Sequence, residues 1–263
     1  MVRLKKLKKR LLEGGYLRIE KVKVKGLPAP LTHISDIHYA KLADWVKQDV
    51  KKYLANKDTE ILCVTGDLVD KKGDNPDEVI TFLDNLPVDN IVVSFGNHDE
   101  VLLDDLLTAI GGSRKIKAAV SSHISNSKMN FVILPDINFK RHNSGVYPSF
   151  FSTRKPNIVL AHNPQQFWIV NEKCKAFDVP LIMSGHTHGG QIFQADFVRS
   201  IAKRLTSDDL LLNTFRVNHE HDCFQLQGSY KLGKMHLHIN VGLATHAPGR
   251  FGCPPTITEY IPA

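Results

Sequence analysis

Eight short β-branched runs, at residues 17–24, 31–35, 61–65, 91–95, 131–134, 158–161, 181–184 and 237–241, constrain most strongly how this 263-residue chain can fold. Five of them run directly into a polar cluster: Asp36-Ile37-His38, Gly66-Asp67, Gly96-Asn97-His98-Asp99, His162-Asn163 and Gly185-His186-Thr187-His188. Asp36 to Asp67 spans 31 residues and Asp67 to Asn97 spans 30, each about the length of one β-α-β unit. Helical spacing fills the early gaps, through Leu42, Trp45, Val46, Val50, Tyr53 and Leu54, then Val79, Ile80 and Leu83, then Leu102, Leu106 and Ile110. Strand alternating with helix predicts an α/β layered fold. Its ligand site lies at the carboxyl ends of the strands, where clusters far apart in sequence converge.

Charge separates the chain into two parts. Residues 1–26 carry ten Lys or Arg against two Glu, which leaves 24 basic and 25 acidic residues for the remainder. The body is therefore near neutral and gives no strong nucleic-acid signal, since phosphate-backbone binding needs positive charge spread over a face. Leu4, Leu7 and Leu11 fall on one helical face among cations until Gly14-Gly15, so residues 1–15 read as a basic amphipathic arm with an anionic membrane surface as a possible partner. Residues 16–263 read as a single domain. Cys63, Cys174, Cys223 and Cys253 form no CxxC pair and read as reduced thiols, Cys63 as a small buried side chain. No apolar stretch approaches the roughly 18 residues a spanning helix needs, so the expected location is cytoplasmic, or peripheral on the inner membrane face.

The strand-terminal clusters offer carboxylate, amide and imidazole donors without thiolate, a set that suits manganese, iron or zinc rather than a structural zinc site. Taken in order, the blocks resemble those of the calcineurin-like metallophosphoesterase family, D-x-H, G-D, G-N-H-[DE], H and G-H-x-H, clearly over residues 31–190. The likeness continues from Gly233 to Pro255. Ser184-Gly185-His186-Thr187-His188-Gly189-Gly190-Gln191, with Gly242-Leu243, Arg250-Phe251 and Pro254-Pro255, is similar to a small phosphodiesterase subgroup, often membrane-associated. Ala244 departs from the glycine usual there.

The resemblance implies a four-layer α/β/β/α sandwich of two mixed β-sheets flanked by helices. It also implies that Asp36, His38, Asp67 and His188 hold one divalent ion and that Asp67, Asn97, His162 and His186 hold a second, with Asp67 bridging. Manganese is expected first, with iron, zinc or magnesium as alternatives. The implied reaction is hydrolysis of a phosphomonoester, phosphodiester or pyrophosphate by a hydroxide shared between the ions, with no covalent intermediate. His98 would give a proton to the leaving oxygen and Asp99 would orient it.

His246 and Arg250 are expected near a substrate phosphate, since Arg matches phosphate geometry. The isolated His33, His123, His142, His219, His221, His236 and His238 are expected to be structural or exposed. Phe197, Ile201 and Leu205 recur at helical spacing, so residues 192–229 could form a lid, which favours a phosphorylated substrate that is lipid-linked. Two alternatives stand beside the general reading. One is a lipid-linked pyrophosphate hydrolase of the nucleotide diacylglucosamine type. The other is a non-catalytic scaffold, resembling the retromer subunit with a degraded metal site, against which the intact His98 counts.

Overall fold

A strand that is apolar on both faces must be covered on both, and the central runs of this chain are buried at every position. The computed structural model describes residues 7, 9–57, 59–140, 146–190, 227–246, 249–250 and 253–263. Among these, twelve strands form two six-stranded sheets. The first contains β1 (Arg18–Val24), β2 (Leu31–Ser35), β3 (Ile61–Thr65), β4 (Asn90–Ser94), β5 (Ile116–Ala118) and β12 (Thr256–Pro262), ordered β1-β12-β2-β3-β4-β5. The second contains β6 (Ser122–Ser125), β7 (Asn130–Ile133), β8 (Asn157–Leu160), β9 (Leu181–Ser184), β10 (Gly228–Leu232) and β11 (Met235–Ile239), ordered β10-β11-β9-β8-β7-β6. Both sheets are mixed: β2 to β5 run parallel and β12 antiparallel to β2, while β7, β8, β9 and β11 run parallel between antiparallel β6 and β10.

Alternation along β3 shows how the layers form. Ile61 and Cys63 join Phe131, Ile133, Ile158, Leu160, Leu181 and Met183 in the core between the sheets. Leu62 and Val64 point the other way, into a core shared with α1 (Asp44–Ala55), α2 (Pro76–Asp84) and α3 (Leu103–Gly111). Val132, Val159, Ile182, Leu237 and Ile239 pack against Phe167 and Val170 of α4 (Gln166–Lys173) on the outer face of the second sheet. The result is the four-layer α/β/β/α sandwich expected from the family resemblance. Local signals set the helix boundaries, as at α2, where Pro76 follows Asn75 and the Asn75 side chain accepts from Asp77 N at 3.1 Å.

The strand-terminal clusters divide between the sheets, β2, β3 and β4 carrying three and β8 and β9 carrying two. The bounds of β2, β3 and β9 coincide with the sequence reading, the other expected strands shift by one or two residues, and four strands and a helix lie beyond it. β5 and β6 span only three and four residues. α4 has a weak apolar stripe, and β12 reads as polar in sequence because it carries Thr256, Thr258 and Glu259. Those side chains are satisfied inside the fold: Thr258 Oγ1 accepts from Asn240 at 2.9 Å, and Glu259 pairs with Tyr53 and with Lys57 at 2.7 Å. Residues 192–226 of the expected lid, and residues 1–6 and 8 of the arm, lie outside the described residues. No helix among the described residues is long and apolar enough to cross a membrane.

His238 on β11 is buried beside β12, with Nδ1 2.9 Å from Ser229 Oγ and Nε2 3.3 Å from Thr258 Oγ1. Burial, reinforced by His236 and Arg18, pushes its pKa down to about 3. Glu20 lies 3.7 Å from Nε2, and burial raises that carboxyl's own pKa. A folded-state pKa below the unfolded one means that the unfolded chain binds the proton first. Stability from His238 is therefore complete above pH 6.5 and lost as pH falls from there toward 3. In urea unfolding of the metal-free protein, His238→Gln should flatten the decline over this window by up to about 1.4 kcal/mol per pH unit. An unchanged pH slope would refute the assignment.

Candidate metal centre

Among the described residues, positive φ outside glycine falls on Asp36 (51°), His38 (35°), Asp67 (52°), His186 (71°) and His188 (51°). All five are predicted metal ligands. At each turn the chain leaves its strand in a left-handed conformation that L-residues avoid, and neighbouring backbone holds it there. Asp36 N donates to Gly66 O at 3.1 Å, His38 N to Asp67 O at 2.8 Å, Gly185 N to His162 O at 3.0 Å, and Ala244 N to Asp36 O at 3.0 Å.

These turns gather the ligand set into two overlapping groups. One brings together Asp36, His38, Asp67 and His188, and the other Asp67, His162 and His186; within each, the candidate ligand atoms lie within 4.8 Å of one another. Asp67 belongs to both. Its Oδ2 is 3.4 Å from His38 Nε2 and 3.2 Å from His162 Nε2, while Oδ1 accepts from His98 N at 3.0 Å. His188 Nε2 lies 3.4 Å from Asp36 Oδ1, and the Asp36 carboxylate accepts from His186 N at 3.0 and 3.1 Å. His162 Nδ1 lies 2.7 Å from Thr65 O, which can only accept, so Nδ1 carries the hydrogen and Nε2 is turned toward Asp67 and His186.

Electrostatics follow from packing these groups in a dry site. Burial raises the Asp36 carboxyl. It also opposes ionisation of Asp67, but His162 and His38 beside that carboxylate outweigh burial and hold it well below the usual range. His162 is raised well above the usual imidazole value, with Asp67 overcoming the effect of burial. His188 is pushed well below it by burial, with His38, His246 and Arg250 adding to the effect.

The residues present fit two divalent cations. The donors are hard or intermediate, and Asp67 stands between both groups. His188 Nδ1 and Asn97 Oδ1 are buried without a hydrogen-bond partner among the described residues, a costly state for polar atoms unless an ion completes them.

Two sequence expectations are corrected. Asp99 does not orient His98: its Oδ1 accepts from Leu68 N at 2.7 Å and Val69 N at 3.1 Å, and its Oδ2 from Gly96 N at 2.8 Å, so it braces the two turns under Asp67 and Asn97. Burial and then Asp67 push its pKa up to about 7. Arg250 is 1% exposed and is not aimed at a substrate. Its guanidinium donates to Ala244 O through Nε at 2.8 Å, to Val241 O at 3.0 Å and to Cys253 O at 3.1 Å, so it ties down the loop after β11. Ala244 is not among the positive-φ residues, so glycine is not required there.

His246 does join the site, its ring 4.5 Å from those of both His38 and His188. Sequence reasoning missed Asp70 and Lys41. The Asp70 carbonyl accepts from His98 Nδ1 at 2.8 Å, and its carboxylate lies 3.3 Å from His38 Nδ1 and 2.7 Å from Lys41 Nζ. Lys41 also reaches His246 Nδ1 at 3.3 Å. Their only sequence signal is position, each standing three residues beyond a predicted ligand.

Residues 29–190 match the family described as calcineurin-like phosphoesterase. A Helicobacter pylori (strain ATCC 700392 / 26695) uncharacterized metallophosphoesterase is 27% identical over 65% of this chain and 46% of its own. The Bacillus subtilis (strain 168) uncharacterized metallophosphoesterase YkuE is 28% identical over 76% of this chain and 67% of its own, and one from Aquifex aeolicus (strain VF5) is 30% identical over 69% and 74%. The match spans about half the length of the Helicobacter pylori relatives, 46% and 55%.

A side chain at Gly96 would run into Asp67 Oδ1 and stand 2.8 Å from His162 Cε1. Gly96→Ala is therefore expected to lose bound metal, measured by elemental analysis of purified protein. Gly73→Ala, where a Cβ meets nothing within 4 Å, should retain it.

Proposed function

The chain belongs to the calcineurin-like phosphoesterase family, and from that premise we propose that it hydrolyses a phosphomonoester, phosphodiester or pyrophosphate with two divalent cations, manganese first among them. The observation that carries this reading is the single Asp67 oxygen lying 3.2 Å from His162 Nε2 and 3.4 Å from His38 Nε2. Asp36, His38, Asp67 and His188 would hold one ion, and Asp67, Asn97, His162 and His186 the other. When bound, the ions supply positive charge for the phosphoryl oxygens and lower the pKa of a coordinated water.

The chain's own groups supply orientation and protons. Hydrogen bonding to the Asp70 carbonyl keeps a hydrogen on His98 Nδ1, so the proton given to the departing oxygen comes from Nε2 of the imidazolium, which then returns to the neutral Nδ1–H form. His98 is exposed enough to meet a substrate, its side chain 37% accessible. Lys41 only donates, so His246 Nδ1 accepts from it and Nε2 carries the hydrogen, a pair suited to hold a substrate phosphate oxygen. Burial, then His38 and Lys41, push His246 down to about 4, which keeps it neutral near pH 7.

The test is turnover of aryl phosphate mono- and diesters with manganese, magnesium, zinc or no added metal. Asp67→Asn should lose metal and turnover together. His98→Gln should keep metal and lose about 10²- to 10⁴-fold in turnover, the usual scale for a proton-transfer group. Turnover that needs no metal, or that is indifferent to both substitutions, would sink the reading; no turnover with any of the metals would leave the scaffold alternative.

A lipid-linked substrate is favoured by one specific observation. Leu7, Leu11, Leu12 and Tyr16 are 47–61% exposed on the basic arm, apolar surface suited to an anionic bilayer. The arm is fastened to the body by Trp45 Nε1 donating to Glu13 at 2.8 Å and Arg250 N donating to Leu12 O at 2.8 Å. Leu7→Ser with Leu11→Ser is expected to reduce sedimentation with phosphatidylserine vesicles while aryl phosphate turnover stays unchanged. Equal sedimentation would reject the membrane reading.

A further inference from the structure

A buried chain of hydrogen bonds leads from the core between the sheets to the metal centre. Tyr260 Oη lies 2.9 Å from His33 Nδ1, His33 Nε2 lies 2.7 Å from Thr65 Oγ1, and Thr65 Oγ1 lies 2.9 Å from Ser35 Oγ. Ser35 Oγ in turn donates to Thr65 O at 2.7 Å, the same carbonyl that receives His162 Nδ1–H at 2.7 Å. His33, Ser35, Thr65, His162 and Tyr260 are all 0% exposed, so no bulk water completes any of them.

Proton counting sets the direction. Burial, reinforced by His238, holds His33 well below the usual imidazole range, so it is neutral, with one donor and one acceptor nitrogen. Suppose Thr65 gave its proton to His33 Nε2. Nδ1 would then carry the hydrogen, and the buried Tyr260 O–H would find no acceptor among its described contacts. In the opposite sense every hydroxyl is used: Tyr260 to His33 Nδ1, His33 Nε2–H to Thr65, Thr65 to Ser35, and Ser35 to the Thr65 carbonyl. Buried donors are almost always paired, so the second arrangement prevails.

We propose that His33 and Thr65 are positioning residues for the metal centre: the relay fixes the Thr65 carbonyl, which holds His162 with Nε2 aimed 3.2 Å from Asp67. The inference rests on the two-cation reading and extends the metal-holding machinery to a histidine inside the sheet.

Two measurements test it. Two-bond nitrogen–proton NMR of the metal-free protein at pH 7 should find His33 as the Nε2–H tautomer; the Nδ1–H tautomer would overturn the relay. Calorimetric titration with manganese should show that Thr65→Val, close in shape but without the hydroxyl, weakens one of two binding steps by about tenfold, the usual lower bound for loss of support to a ligand. His33→Gln, whose amide can donate to Thr65 and accept from Tyr260, should bind like wild type.

Unaltered affinity in Thr65→Val, equal weakening of both steps, or a Gln variant as weak as Thr65→Val would overturn the inference alone. Wild-type protein that takes up no manganese, zinc or magnesium would remove the two-cation reading and this inference together.

Discussion

Placing the Asp67 carboxylate where water cannot reach it sets the terms for the rest of the site. A buried carboxylate is tolerated only if positive or donating groups surround it. Asp67 draws them from both sheets: His38 from the end of β2, the His98 N–H from the end of β4 and His162 from the end of β8. The register of two sheets is thereby tied to one side chain. The outer helices and the core between the sheets hold those strand ends in place, and their apolar packing supplies the rigidity that a polar cluster lacks.

The same centre concentrates backbone strain. A left-handed conformation costs an L-residue about 1–2 kcal/mol, and the ligand turns accept this at Asp36, His38, Asp67, His186 and His188. The cost is borne because these residues follow fully buried strands and are held by neighbouring turns: Asp36 N donates to Gly66 O, His38 N to Asp67 O, His186 N to the Asp36 carboxylate and Cys253 Sγ to His188 O. Strain persists where surrounding structure over-determines it, and here it turns side chains inward from strand ends that would otherwise direct them along the sheet. Gly242, with φ at 77°, belongs to the same arrangement: a Cβ there would stand 2.5 Å from Asp36 Cβ.

The parts legible in the sequence were those with a local signature. Asp36, Asp67, His162 and His186 follow apolar runs, and that pattern survives without knowledge of tertiary contacts. The illegible parts depend on distant partners. Asp99 looked like the neighbour that should orient His98, but backbone geometry turns its carboxylate onto Leu68, Val69 and Gly96, while Asp70 meets His98 from another turn. Arg250 looked like a phosphate ligand because its chemistry suits one; its burial and its carbonyl partners became apparent only in three dimensions. β12 was hidden because its polar side chains read as surface until Tyr53, Lys57 and Asn240 were found beside them.

The place of β12 also bears on how the chain can be assembled during synthesis. β1 joins the first sheet only through β12, which lies between it and β2, and Arg18 and Thr256 meet across 238 residues. As the chain is made from its amino end, β2, β3 and β4 can pair early, but β1 meets its neighbour among the described strands only when β12 emerges, with Thr256 lying 238 residues beyond Arg18. Such long-range parallel pairing is slow because a large loop must close before any contact rewards it. The β1 edge therefore waits unpaired until β12 has been made.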